Sequence, residues 1–483
     1  METGISKRTK WSYCVGATGR DACYVLVSMF VLTYVQYTMK LTVPQFSVIS
    51  VAMVICMVWD AVNDLMMSTI IENCHFKGGK FRPFIISGAI INAVVIVAMF
   101  SIRPQGWGFV AFFSIIYLLW GMTYTVNDIA YWGMLPSLSS DPRERDSLVT
   151  LMGIFVCIGQ FLVAGIVPVV IAGNAVIAFR ITALIVALGF ILFQTITYLG
   201  VTESPRVDGE KVTLKSMAKI LARNDQLIHI GVAYILFCVG QQLLLLLAIN
   251  FFYFEFGYSE SGNLITLFTV MYGLGTLSAQ FIYPILSAKF PRLKIITACI
   301  IALVTCYLLF LGYGFVLPKN VILLNIIGFV IFFSQAIYNL AMIVMVNNTI
   351  EYDEYRFGER HDSIISAIRS FATKLAGALN QGTASLILIF SGIYAVSQSI
   401  SALEVEVGNG TMDRDTALSL ADGYIETVLP RQTFTLRMGM VFVPLAVMIL
   451  AFIIVRTKYK IDENEYKRLV DEISKRSTSH ENE

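Results

Sequence analysis

The chain alternates apolar runs of about 20 residues or more with short polar connections. The runs fall roughly at 15–38, 46–71, 83–103, 107–136, 147–172 and 175–201. After a polar stretch they resume at 227–257, 259–287, 295–316, 320–350, 363–398 and 432–456. A hydrocarbon layer about 30 Å thick is crossed by about 20 apolar residues in a helix, and a spanning segment must satisfy its own backbone. The pattern therefore predicts an all-α integral membrane protein with 12 transmembrane helices. Charge agrees: 35 basic and 33 acidic side chains make up 14% of 483 residues, against roughly a quarter in a soluble protein. A soluble enzyme, a nucleic-acid binder and a disordered scaffold are excluded. The formal net charge of +2 names no charged partner.

Two groups of six spans place both termini on one side of the membrane. Of the 35 basic residues, 25 flank the terminus side and seven the other, with three inside spans. Basic loops stay cytoplasmic, so both termini are expected in the cytoplasm, the location being the cell membrane. The first apolar run is too long and aromatic for a cleaved signal peptide. The expected organisation is an N-terminal six-helix bundle over 1–201, a cytoplasmic linker over 202–226, a C-terminal bundle over 227–457 and a charged, solvated cytoplasmic tail over 458–483. Within the linker, Leu-Lys-Ser-Met-Ala-Lys-Ile-Leu (214–221) reads as a short amphipathic helix. The longest loop on the other face is expected over 399–431. Eight cysteines without CxxC spacing, and four scattered histidines, suggest neither a disulfide framework nor a metal centre.

Ionisable residues inside spans are expensive and mark cavities or partners. Here they concentrate in four spans: Arg20 and Asp21 in span 1, Asp60 and Asp64 in span 2, Asp128 in span 4, Arg369 and Lys374 in span 11. Asp60 and Asp64, four apart, project from one helical face. Thr125 is three residues from Asp128, and Tyr124 and Trp132 lie four either side of it, so one face of span 4 offers a hydroxyl, a carboxylate and two aromatics. Oxygens of Asp60, Asp64, Asp128 and Thr125 would suit a hard monovalent cation, and the same carboxylates would suit a proton where burial raises a pKa. Carboxylates beside aromatic faces also suit a sugar. Structural ion pairs are the alternative for any single charge. For all seven they are a poor explanation, because buried pairs stabilise less well than apolar packing. Tyr124 and Trp132 serve equally as packing residues. The loops carrying Arg143, Arg145, Glu354 and Arg360 read either as inter-half gates or as solvated charge. A peptide-cleaving aspartate pair lacks its GxGD motif.

The two halves echo each other: Arg-Glu-Arg-Asp-Ser (143–147) precedes span 5 and Gly-Glu-Arg-His-Asp-Ser (358–363) precedes span 11. Parallel six-helix repeats around a midplane site are a transporter plan. The stretches VWDAVNDLMMSTIIENCHFKGGKFRPF, WGMTYTVNDIAYWGMLP and DPRERDSLV, with GATGRD in span 1 and NNTIEYDEYRFGER after span 10, resemble the glycoside–pentoside–hexuronide:cation symporters. These form the melibiose-permease-like branch of the major facilitator superfamily. The resemblance implies the major facilitator fold of two six-helix pseudo-repeats, and a monomeric, non-enzymatic, cation-coupled (Na⁺ or H⁺) importer of a glycoside or small sugar by alternating access. No cofactor beyond the coupling ion is implied. The alternative is an uncoupled facilitator, or a same-fold transporter of a lysolipid or drug.

Carried over by motif, the resemblance implies a cation site at Asp60, Asn63, Asp64, Thr125, Asp128 and Lys374. It implies a sugar site at Arg20, Asp21, Tyr124, Asp128, Trp132, Arg369 and Ser370, with Asp128 common to both. The family pattern is broken at three places. Gly153 stands where a sugar-gripping arginine is found, Asn339 where a tryptophan is found, and Arg369 where a glutamine is found. Aligning Asp146 with Asp362 pairs Gly153 with Arg369. The expectation is that Arg369 replaces the missing guanidinium from the other half, which would also permit an anionic sugar such as a uronide.

Overall fold

The computed structural model describes residues 5–74, 79–139, 142–203, 214–358 and 360–480. Among these residues the regular structure is helical. The helices are α1 (Lys7–Thr38), α2 (Val43–Asn73), α3 (Arg82–Ser101), α4 (Trp107–Leu138), α5 (Pro142–Ile171) and α6 (Ala175–Gly200). They continue with α7 (Leu214–Arg223), α8 (Asp225–Phe256), α9 (Ser261–Lys289), α10 (Arg292–Gly312), α11 (Val321–Asn347) and α12 (Thr349–Phe357). The last are α13 (Asp362–Phe390), α14 (Ile393–Gly408), α15 (Arg414–Glu426), α16 (Pro430–Lys458) and α17 (Glu463–His480). Eleven helices among the described residues are long and apolar enough to cross a membrane, and α13 with α14 makes a twelfth candidate.

Two compact units emerge, and they cut across the chain halves. The first comprises 1–209, 246–269 and 381–436; the second comprises 210–245, 270–380 and 437–483. Within the first unit, α1 is buried along most of its length, packed between α5 and α6. Small residues make this approach possible. A Cβ on Gly159 would lie 2.2 Å from the Thr18 carbonyl, and one on Gly16 would lie 1.9 Å from Thr197 Oγ1. In lipid, where apolar side chains gain little by leaving their surroundings, close backbone approach of this kind holds helices together. α4 packs on α2 and α3, and α3 on α6. Polar groups cross between these helices: Gln194 Nε2 donates to the Gly16 carbonyl at 2.8 Å and Asn127 Nδ2 to the Ile85 carbonyl at 2.7 Å.

The structure departs from the expected layout in three places. The run 363–398, read as one span, ends at Phe390 and turns by 91° into α14. Ser391 and Gly392 make the corner, with Gly392 at φ +76°, a left-handed conformation that terminates a helix and that glycine adopts without strain. Hydrophobic patterning carried no trace of this corner, because both helices are apolar. The segment 399–431 is largely helical rather than a loop: it holds the rest of α14 and the whole of α15. The tail after Lys458 is not simply solvated. α17 packs on α12, buries Leu469, and is tied down by Arg476 donating to the Tyr355 carbonyl at 2.8 Å and by an Arg292–Glu463 pair at 3.4 Å. The linker helix expected at 214–221 is α7; residues 204–213 lie outside the described residues.

Candidate binding site

The charged residues of spans 1, 2 and 4 all fall in the first unit and form two adjoining groups. In the first group, α2 presents Asp60 and Asp64 one turn apart toward α4. The Thr125 hydroxyl lies 2.9 Å from Asp60 Oδ1 and 3.1 Å from Asp64 Oδ1. Gly121, one turn earlier on α4, leaves room for Asp60: a Cβ there would sit 3.3 Å from its Oδ1. Thr125 is 1% exposed. A hydroxyl carries a single proton and cannot donate to both carboxylates at once. Asn63 lies between the two aspartates in sequence, 6% exposed, and among the described residues its Nδ2 makes no hydrogen bond.

The second group centres on Arg20, which is 3% exposed. Its Nε and one terminal nitrogen donate to Asp21 Oδ2 at 3.0 and 2.7 Å, while the other terminal nitrogen lies 3.5 Å from Asp128 Oδ1. The guanidinium carbon also sits 4.7 Å from the ring centre of Tyr131 and 5.2 Å from that of Trp132, within cation–π range. Gln160 on α5 donates to Asp21 Oδ1 at 3.2 Å. Trp132 stays 42% exposed. Along α4, Tyr117 meets Trp120 at a tilt with ring centres 5.4 Å apart, Trp120 stacks on Tyr124 at 5.9 Å, and Tyr24 of α1 meets Tyr124 at 5.4 Å. A carboxylate, a buried guanidinium and a run of aromatic faces are thus assembled on α1 and α4.

The sequence-level candidates divide accordingly. Asp60, Asp64 and Thr125 are brought together, as are Arg20, Asp21, Asp128 and Trp132, with Tyr124 one turn before Asp128. Asp128 stands with Arg20, and among the described residues no three His, Cys, Asp or Glu side chains gather as a metal site. Arg369, Ser370 and Lys374 lie on α13 in the second unit, where Arg369 and Lys374 are half-buried and Ser370 exposed. At Gly153 a Cβ would meet nothing within 4 Å among the described residues. Of the expected gate residues, Arg360 is held inside the second unit by Glu354 at 2.8 Å, Asp362 at 2.8 Å and Glu351 at 3.5 Å. Arg145 is half-buried, and the Arg143 side chain lies outside the described residues.

Several contributors were not singled out from sequence. Gln160 is a polar residue in the apolar run of span 5, which is itself a signal. Tyr131 adjoins Trp132, and Tyr24 follows Arg20 by one turn. Also in the second unit, Asp353 of α12, fully buried, pairs with Arg223 at 2.7 Å at the end of α7, and His361 Nδ1 lies 3.0 Å from it.

Similarity to known proteins follows the same lines. The profile of the family described as MFS/sugar transport protein matches residues 12–463. A lactose permease of Lactobacillus delbrueckii subsp. bulgaricus is 27% identical over 406 residues, 80% of this chain. This chain spans 63% of that relative's length. A glucuronide carrier protein homolog of Escherichia coli K12 is 23% identical, covering 99% of this chain and 97% of that one. Among solved structures, a bacterial homolog of the human lysosomal transporter Spinster overlays with a TM-score of 0.62 at 12% identity, covering 94% of this chain and 98% of that one. The overlay shows a shared fold, that of the major facilitator transporters. With the profile spanning nearly the whole chain, the protein belongs to the MFS/sugar transport protein family.

Proposed function

We propose that the protein is a secondary active transporter of the cell membrane that carries a small sugar or glycoside together with a monovalent cation, both termini lying in the cytoplasm. The observation that carries the cation half is the convergence of Asp60 and Asp64 on the single Thr125 hydroxyl. Two carboxylates meeting on one proton donor bind a Na⁺ ion or a proton readily and repel each other without one. The sugar half rests on Arg20, Asp21 and Asp128 beside Trp132 and Tyr124. The acceptors and the guanidinium meet hydroxyl groups, and the aromatic faces cover the apolar side of a sugar ring. Relatives that carry lactose and a homolog of a glucuronide carrier support that cargo class.

Thr125 and Asp128 stand three residues apart on α4, so filling the carboxylate pair alters the same helix that presents Asp128 to the sugar. Each ligand then favours the other by the same coupling free energy. The loaded site is exposed alternately to the two sides by rocking of repeated helix bundles. Vesicles offered a panel of labelled sugars under imposed Na⁺ or pH gradients test this reading. Accumulation against the sugar gradient is expected with one of the two ions. Asp64→Asn is expected to abolish that accumulation while binding of the sugar persists. If the variant still concentrates sugar, the cation assignment is wrong.

A further inference from the structure

The second unit carries a groove that has no part in the sites above. Helices α9, α10 and α11 enclose a cavity of about 370 Å³, lined by Leu286, Phe290, Lys294, Cys299, Phe333 and Ile337 among others. That volume is within the range of small-molecule sites, yet among the described lining residues strong polar groups come from Lys294 and Ser334, beside the weakly polar Cys299 thiol. A sugar would find almost no hydrogen-bond partners there. The groove has direction. Lys294 stands in the first turn of α10, beside the short α9–α10 connection where two spans begin and end. From there the lining climbs α10 through Ala298 to Ala302, a rise of about 12 Å into the hydrocarbon.

Three basic residues, Lys289, Arg292 and Lys294, flank the α9–α10 connection at this end of the groove, Lys294 being in its lining. Arg292 is engaged by Glu463 at 3.4 Å and by the Tyr466 ring at 5.9 Å. Lys289, the last residue of α9, shares a helical face with Leu286. Among the described residues the ammonium groups of Lys289 and Lys294 have neither an acidic partner nor a hydrogen bond. Phe290 between them is 51% exposed. A dry cleft that ends at two uncompensated cations at the membrane boundary matches an amphiphile with an apolar tail and an anionic head. We propose that this groove binds an anionic phospholipid of the bilayer, one acyl chain lying along α10 between α9 and α11, and the phosphate meeting Lys294 and Lys289. Basic pockets between spanning helices select anionic headgroups in this way.

The test uses the full-length protein in nanodiscs or mixed micelles, with bound lipid read by native mass spectrometry. The probes are phosphatidylglycerol and phosphatidylcholine of identical chains. Preferential retention of phosphatidylglycerol is expected. Lys294→Gln and Lys289→Gln should each weaken it about fivefold, the effect of one lysine at an anionic surface. Ala298→Phe with Ala302→Phe should fill the cleft and expel the lipid. A thermal midpoint in phosphatidylcholine matching the unaltered protein shows that each variant folds; should the filled variant not fold, Ala302→Leu alone replaces it. Equal retention of the two lipids overturns the proposal, as does retention unchanged by the lysine substitutions. Lipid-free dimers that disappear when the cleft is filled overturn it too, by placing a second copy of the chain on this face.

Discussion

Arg20 illustrates how a single buried charge is made tolerable. Asp21 neutralises it through two hydrogen bonds, Asp128 approaches at 3.5 Å, and Tyr131 and Trp132 offer their faces. Arg20→Gln leaves two carboxylates without their cation. Breaking a buried pair from one side costs about 3–5 kcal/mol, so a lowered thermal midpoint and lost sugar binding are expected, read by calorimetry and by ligand titration. Arg20→Lys keeps the charge without the planar fork and should retain more stability than binding. Thr125→Val removes the hydroxyl that Asp60 and Asp64 share. One hydrogen bond to a charged group is worth about 1.5–3 kcal/mol, so the apparent cation affinity should weaken at least about tenfold, measured by cation-dependent uptake. At this scale the sequence was informative wherever partners lie on one helix: the four-residue spacing of Asp60 and Asp64 and the three-residue spacing of Thr125 and Asp128 follow from helical geometry. Gln160 meeting Asp21 could not be read, since it depends on how α5 is rotated against α1.

Among the elements, α14 carries the most consequence for so little sequence signal. Its Glu404, 1% exposed, accepts from Gly173 N at 2.7 Å and Ala175 N at 2.6 Å in the α5–α6 turn and from Tyr258 Oη at 2.6 Å after α8. Those amides open α6, whose N-terminus favours an anion. Around it, Gln398 accepts from Leu41 N at 2.7 Å and donates to the Gln36 carbonyl at 3.0 Å. Asn250 Oδ1 accepts from Gln36 at 2.6 Å and Tyr37 at 2.9 Å. These bonds fasten pieces of both chain halves into the first unit. Glu404→Ala orphans three buried donors and should destabilise by on the order of 3 kcal/mol or more, seen as a lower thermal midpoint and faster amide exchange at Ala175.

The neighbouring α15 is capped by Asp413, which accepts from the Thr416 amide at 2.9 Å and from the Thr416 hydroxyl. These bonds hold its carboxyl below the ordinary carboxylate range. The cap's contribution is therefore complete at neutral pH and lost as pH falls through the depressed value. Protection of the Thr416 amide should be steady from pH 7 to about 5 and decline below about pH 4, with Asp413→Ala removing the dependence. An amphipathic α7 was legible because its pattern is strong. The α13–α14 corner was not, because a single Ser-Gly pair inside an apolar stretch carries it.

For the molecule as a whole, the charge asymmetry of the loops and the concentration of seven ionisable residues in four spans are legible before any coordinates. Arg369→Gln tests the role of the arginine gained on α13. Loss of sugar uptake with normal membrane insertion is the expected result, and undiminished uptake would remove Arg369 from the site. By itself the sequence determined the membrane class, because an apolar medium enforces it through hydropathy and helical period, while the family was legible in the motifs of spans 1, 2 and 4 and the unusual charges in their place inside apolar runs. Only the tertiary structure decided that Asp128 stands with Arg20 while Asp60 and Asp64 share Thr125, that the eleventh span turns at Gly392, and that the tail folds back on α12. Those outcomes depend on the rotation and register of one helix against another, which are set by close contacts between residues distant in sequence and leave no period in the chain.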